Sequence, residues 1–123
     1  MPVAPGKPVG FVGLGNMGGR MSRRLVQAGH EVLGFDLDAQ RCQACGARAA
    51  GSLGQIARET DVMLMSLPDS TAVEAVVQAD DGLLANARPG QVIVDLSTAA
   101  PSSTRRLAQL LATCEVKIGR AHV

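Results

Sequence analysis

Apolar residues fall along this chain in short runs that alternate with stretches of helical period. Val9 to Val12 is an apolar run ending in glycines, the pattern of a strand buried on both faces. From Asn16 the period lengthens. Met17, Met21, Leu25 and Ala28 recur every three or four residues, with Arg20, Arg23, Arg24 and Gln27 opposite. This predicts an amphipathic helix closed by Gly29. Glu31 to Phe35 is a second strand ending at Asp36, and Asp38 caps a short helix running to about Gly46. Ala47 to Gly51 holds a weak third strand, and Ser52 opens a helix up to about Glu59. Val62 to Leu67 is the strongest buried strand, stopped by Pro68. Ser70 starts a helix through Val73, Val76 and Val77; Gly82 to Ala87 reads as a short helical piece, and Pro89-Gly90 as a turn. Gln91 to Leu96 is the next strand, and Pro101 suits the first turn of a last helix carrying Leu107, Leu110 and Leu111. Strands and helices that alternate at such regular intervals fold as an α/β doubly wound, mostly parallel sheet with helices on both faces.

Composition narrows what this fold could serve. At 123 residues, 46% hydrophobic and 19% charged, the chain suffices for one domain with a real core and not for two. Twelve Lys and Arg against eleven Asp and Glu leave a net charge of +1, so nothing marks a nucleic-acid or membrane surface. Phe11 and Phe35 are the only aromatics, too few for stacking on bases. No apolar run approaches the roughly 20 residues of a membrane span, and the Pro-rich start has no signal-peptide core. Cys42, Cys45 and Cys114 are an odd set that fits no disulfide framework, which points to a reducing cytoplasm.

The candidate chemistry lies where the first strand meets the first helix. Gly13, Leu14, Gly15, Asn16, Met17 and Gly18 form a glycine loop assigned to a dinucleotide. Gly13 would make the tight turn, Gly15 would let backbone approach a pyrophosphate, and Gly18 would let helix pack closely on strand. The helix N-terminus then offers free amides and a positive dipole end to phosphate. The glycine spacing alone is a weak signal. It gains weight from the strand before it, the helix after it, and Asp36 at the end of the next strand. A carboxylate there accepts hydrogen bonds from the adenosine ribose hydroxyls and repels a 2′-phosphate. Leu37 follows it rather than an arginine. The expected cofactor is therefore NAD, in preference to NADP.

At this point the residues resemble the β-hydroxyacid dehydrogenase family, which includes 3-hydroxyisobutyrate dehydrogenase and tartronate semialdehyde reductase. Phe11 to Gly18, then Met21, then Ala28-Gly29-His30 is similar to its N-terminal signature. Leu67-Pro68 is a second match, and Asp95-Leu96-Ser97-Thr98 with Pro101 is a third. The resemblance implies a Rossmann domain followed by an all-helical domain, and reversible hydride transfer between NAD and a short β-hydroxy acid. It implies that Leu67, Pro68 and Thr98 contact the cofactor and that Ser97 lies near the substrate carboxylate. It also implies a homo-oligomer formed through the helical domain.

The chain departs from the family's pattern too. The family usually has Asn where Arg24 stands. It also continues past the last helix with a strand, a Gly-rich substrate loop and a catalytic lysine, none of which is expected here. The sequence thus predicts a tail over 1–7, a cofactor domain over 8–113, and a divergent or truncated segment over 114–123. Within that segment, Ile118 to Val123 reads like a translated sequencing adapter. No catalytic residue is assigned within the chain, and Lys117 is not taken as the catalytic lysine.

Other constellations carry less. Cys42 and Cys45 have metal or redox spacing but fall inside a helix with no second ligand pair, so no metal is expected. His30 and His122 lack the partners of a nucleophilic triad. Arg20, Arg23 and Arg24 read as a solvated helix face rather than a phosphate clamp, and the methionines of the first helix and fourth strand as core. Two alternatives stay open: a stand-alone dinucleotide-binding module without catalysis, and an NADP-linked, imine reductase-like relative.

Overall fold

In the computed structural model, which describes residues 7–38, 40–97 and 101–120, six short strands form one sheet. The strands are β1 (Val9–Val12), β2 (Val32–Phe35), β3 (Arg48–Ala49), β4 (Val62–Met65), β5 (Val92–Asp95) and β6 (Lys117–Arg120). The helices between them are α1 (Asn16–Gln27), α2 (Gln40–Cys45), α3 (Leu53–Glu59), α4 (Ser70–Gln78) and α5 (Pro101–Ala112). All strand pairs are parallel, in the order β3-β2-β1-β4-β5-β6. The expected Rossmann-type architecture is the observed one.

Strand alternation sends neighbouring side chains to two separate cores. Phe11 and Val32 face a smaller cluster with Leu14, Cys42 and Cys45, covered by α1 and α2. Val12, Leu33, Met63, Met65 and Ile93 face the larger one, closed by Ile56 and Ala57 of α3, Val73 and Val77 of α4, and Leu107 and Leu111 of α5. Burial on both faces is why the strands read as continuous apolar runs.

Four expectations need correction. Gly82 to Ala87 is a series of turns and not a helix. The amides of Leu83 and Leu84 donate back to Val76 and Val77 of α4, and Asn86 Nδ2 donates to the Gly82 carbonyl, so local helix bonds are replaced. Met17 is not core but 50% exposed, and Ala28 is exposed as well. The buried residues of α1 are the small ones, Gly18 and Ser22, with Met21, Leu25 and Val26 packed beside the smaller cluster. The close helix–sheet approach turns the buried stripe toward small side chains and leaves Met17 outside. Finally, the sheet does not stop at 113. A left-handed turn at Glu115 (φ 59°) follows α5, Val116 is buried in the larger core, and β6 pairs with β5. The strand thought to be missing is therefore formed. Residues 121–123 and Thr98 lie outside the described residues. Among the described residues no helix is long and apolar enough to cross a membrane.

Candidate dinucleotide-binding site

The sheet order reverses between β1 and β4: the chain runs outward from β1 to β3, then returns to β1's other side. Loops leaving the carboxyl ends of two such strands diverge to opposite faces and leave a crevice between them. Here that crevice is a cleft of about 740 Å³, walled by the glycine loop, the end of β2, Ser66-Leu67-Pro68 and one side of α4.

The glycine loop is shaped by two steric requirements. Gly13 has φ 91°, a conformation costly for any residue with a Cβ. A Cβ on it would also strike the Ser66 carbonyl, and one on Gly18 would strike the Gly13 carbonyl. Gly15 differs. It has an ordinary extended backbone, and a Cβ there would meet only Arg41 Nη1, 3.7 Å away. The protein itself does not need a glycine at 15, so the space beside it is left for something else. Helix α1 begins at this point with no side-chain cap and no acid in its first turn. By contrast, Ser52 caps α3 and Asp69 caps α4. The first amides of α1 are therefore open toward the cleft, where an anion would complete them.

Asp36 closes the far end. Its side chain is 9% exposed. Oδ2 accepts from the Leu14 amide at 2.7 Å and Oδ1 from the Asp38 amide at 2.9 Å. Burial works against its charge, but those two amides and the Arg41 guanidinium outweigh it and hold the carboxyl below its ordinary range. The helix-capping role belongs to Asp38, whose Oδ1 accepts from the Gln40 amide at 3.0 Å. Asp36 thus keeps lone pairs for ligand hydroxyls. Beside it stands Leu37, 98% exposed; Leu37 and Met17 are the exposed large apolar side chains of the described residues, and both line the cleft. Apolar surface left bare at a crevice suits a planar ring.

The sequence-assigned residues come together unevenly. Gly13, Gly15, Asn16, Met17, Gly18, Asp36, Leu67 and Pro68 all line the cleft. Leu14 does not: its side chain is buried in the smaller core and its amide is taken by Asp36. Ser97 is buried outside the cleft wall, its Oγ accepting from the Leu67 amide at 2.7 Å, so it ties the β4 and β5 loops together. Asp95 supports it by accepting from the Ser97 amide at 2.8 Å. Sequence reasoning missed Arg41, which stands beside Asp36 at 3.5 Å, and the α4 wall of Ala72, Ala75 and Val76. An arginine in the first turn of a helix that follows an acid was the available signal. Cys42 and Cys45 are buried and free, and burial, with smaller contributions from Cys45 and Asp36, pushes the Cys42 thiol up. Such a thiol is a poor nucleophile.

Comparison with known proteins now meets this geometry. A family model described as the NAD binding domain of 6-phosphogluconate dehydrogenase matches residues 8–122. The chain belongs to that family. A probable mitochondrial 3-hydroxyisobutyrate dehydrogenase of Dictyostelium discoideum is 36% identical over 113 residues, 89% of this chain and 35% of that protein. The solved structure of Mycobacterium tuberculosis 3-hydroxyisobutyrate dehydrogenase with L-serine superposes with TM-score 0.84 at 30% identity, over 94% of this chain and 40% of that one. Another, Psf3 in complex with NADP+ and 2-OPP, gives TM-score 0.84 at 32% identity, over 89% and 40%. This domain of the family spans little more than a third of the relatives it matches, and it is their N-terminal, NAD(P)-binding part.

Proposed function

We propose that the chain binds NAD in preference to NADP, as the cofactor half of a dehydrogenase that oxidises a short β-hydroxy acid of the 3-hydroxyisobutyrate or tartronate semialdehyde/glycerate type. The observation that carries this reading is the uncapped start of α1 opening beside Gly15 into a 740 Å³ cleft that ends at a charged Asp36. The residues present fit a dinucleotide. The α1 amides would hold its pyrophosphate, Asp36 would accept from the adenosine ribose hydroxyls, and Leu37 would lie against the adenine. Leu67 and Pro68 would line the path to the nicotinamide end. When bound, the nicotinamide supplies the two-electron acceptor for the hydride leaving the hydroxyl-bearing carbon.

Ser97 and Thr98 are proposed to serve the substrate and nicotinamide end respectively. For Ser97 this works mainly through position: its oxygen fixes the Leu67 amide, leaving its own hydroxyl proton to donate. A base must take the substrate's hydroxyl proton, and neither lysine of the sequence stands at the cleft. Lys7 pairs with Asp61 at 3.2 Å beside the amino ends of β1 and β4, and Lys117 opens β6 at that same edge. We therefore expect these 123 residues alone to bind cofactor without turnover; substrate-dependent NADH formation would contradict that. The cofactor choice is tested by Asp36→Ala. It is expected to weaken NADH binding by about tenfold or more and NADPH binding less, whereas an equal loss of both would count against the assignment.

A further inference from the structure

With the diphosphate at the start of α1, over β1, and the adenosine at Asp36, over the end of β2, the other half of a dinucleotide runs the opposite way. It crosses β4 toward β5, at about 4.8 Å per strand. The cleft wall there is Leu67-Pro68. Backbone pairing ends just before it. The Ser66 amide donates to the Val12 carbonyl at 2.9 Å and the Leu96 amide to the Met65 carbonyl at 2.8 Å. The Leu67 amide turns instead to a side chain, Ser97 Oγ, at 2.7 Å. Pro68 has no N–H to add, so among the described residues the Leu67 amide is what ties this wall to the β5 loop. On its other side the Ser66 carbonyl lies against Gly13. The Ser66–Leu67 peptide is thus held between the glycine loop and Ser97.

Ser97 is held in turn by Asp95, the last residue of β5, whose Oδ1 accepts from its amide at 2.8 Å. For the fold alone this is an unfavourable support. Asp95 is 1% exposed and joins no ion pair among the described residues. Its Oδ2 is buried without a hydrogen-bond partner among them. A carboxyl group taken out of water with one oxygen unmatched is harder to bury than an apolar side chain of similar size. Local costs of this kind collect where a structure serves a site. What Asp95 secures is the Ser97 hydroxyl, and through it the cleft wall.

Resting on the dinucleotide reading above, we infer that Asp95 is a positioning residue for the nicotinamide half of the cofactor. It fixes Ser97, and Ser97 fixes the orientation of the Ser66–Leu67 peptide against which that half lies. The adenosine half, held at the α1 amides and Asp36, does not depend on it.

The test measures dissociation constants of NADH and of ADP-ribose, which lacks the nicotinamide, together with the emission of bound NADH. It uses the unaltered chain, Asp95→Val, Asp95→Asn and Ser97→Ala, with circular dichroism verifying each fold. The unaltered chain is expected to bind NADH about fivefold tighter than ADP-ribose and to shift the NADH emission. Asp95→Val should erase that advantage and the shift, with ADP-ribose binding kept within about twofold. Asp95→Asn, whose amide oxygen can still accept from the Ser97 amide, should retain both. Ser97→Ala cuts the same link one step nearer the cleft and should behave as Asp95→Val does; it decides the matter if Asp95→Val fails to fold. Variants that weaken both ligands alike, or that keep the NADH advantage, would make the role of Asp95 purely structural and overturn the inference. So would an unaltered chain that binds the two ligands equally; in each case the dinucleotide site survives. If the folded chain binds neither ligand, the parent reading is what fails, and this one falls with it.

Discussion

A methyl group added at Gly13 and one added at Gly15 would have opposite consequences, and the difference separates folding from function. At Gly13 the backbone is left-handed and the Ser66 carbonyl blocks the new atom. Gly13→Ala should cost about 1–2 kcal/mol from backbone strain alone, read as a lowered Tm. Gly15→Ala meets only the tip of Arg41, so its stability should stay within about 0.5 kcal/mol of the parent. Asp36 offers a pH test at the same scale. Its folded-state carboxyl is held below the ordinary range, so it contributes stability above its unfolded pKa of about 3.9 and loses it as pH falls through the lower folded value. Thermal melts of the unaltered chain and Asp36→Asn should therefore differ at neutral pH and converge in strong acid; a gap that persists unchanged there would contradict this. Gly13, Gly15, Gly18 and Asp36 could be read from sequence because their spacing around a strand–helix junction leaves each a distinct steric or charge task. For Arg41 the signal is weaker: an arginine in the first turn of the helix after an acid suggests a place beside Asp36, but nothing local says that its side chain turns back toward the glycine loop. Met17 was misjudged for a related reason. Its periodicity is that of a buried face, but in the first turn of α1 the inward position is taken by Gly18, which lies against the Gly13 carbonyl, and Met17 beside it is left outside.

Among the elements, what could be foreseen tracks whether a segment's backbone bonds are local. The strands β1, β4 and β5 were evident as apolar runs, and the caps Ser52 and Asp38 as polar residues before helices. The turns at 82–87 were not, because their amides are satisfied by α4 carbonyls whose position no local pattern encodes. Gln91 is another case of a residue whose importance is non-local. Predicted as the first residue of a strand, it is buried just before β5. There its Nε2 donates to the carbonyls of Ala57 at 2.5 Å and Thr60 at 2.8 Å, and its Oε1 accepts from the Arg88 amide at 2.6 Å. It joins the end of α3 to the start of β5. Gln91→Ala would leave the Arg88 amide without that acceptor and the Ala57 and Thr60 carbonyls held by the Arg88 guanidinium alone, at a cost of about 1–3 kcal/mol. Chemical denaturation should show this as a shifted midpoint with an unchanged slope. A shift no larger than that of an exposed substitution would mean that water replaces the side chain.

For the molecule as a whole, one sheet does two jobs. Its two buried faces supply the cores, and the reversal of strand order between β1 and β4 opens the cleft at the carboxyl edge. Regular alternation of strands and helices made that architecture legible, and the glycine loop located the working edge. The extent of the sheet was misread because residues 114–120 fit no expected motif. Pairing with β5 and the burial of Val116 nevertheless carry the fold through Arg120. Both lysines lie at the amino edge, away from the cleft, which is why cofactor capture and not proton transfer is the property assigned to these residues. The proposed function rests on the open α1 amides beside Gly15 gripping the diphosphate of a nicotinamide dinucleotide. Calorimetric titration of NADH into the unaltered chain and into Gly15→Ala tests it most directly. Saturable one-site binding to the first and none to the second, at equal thermal stability, is the expected result. A folded parent chain that gives no heat, or a Gly15→Ala variant that binds as well as its parent, would contradict it.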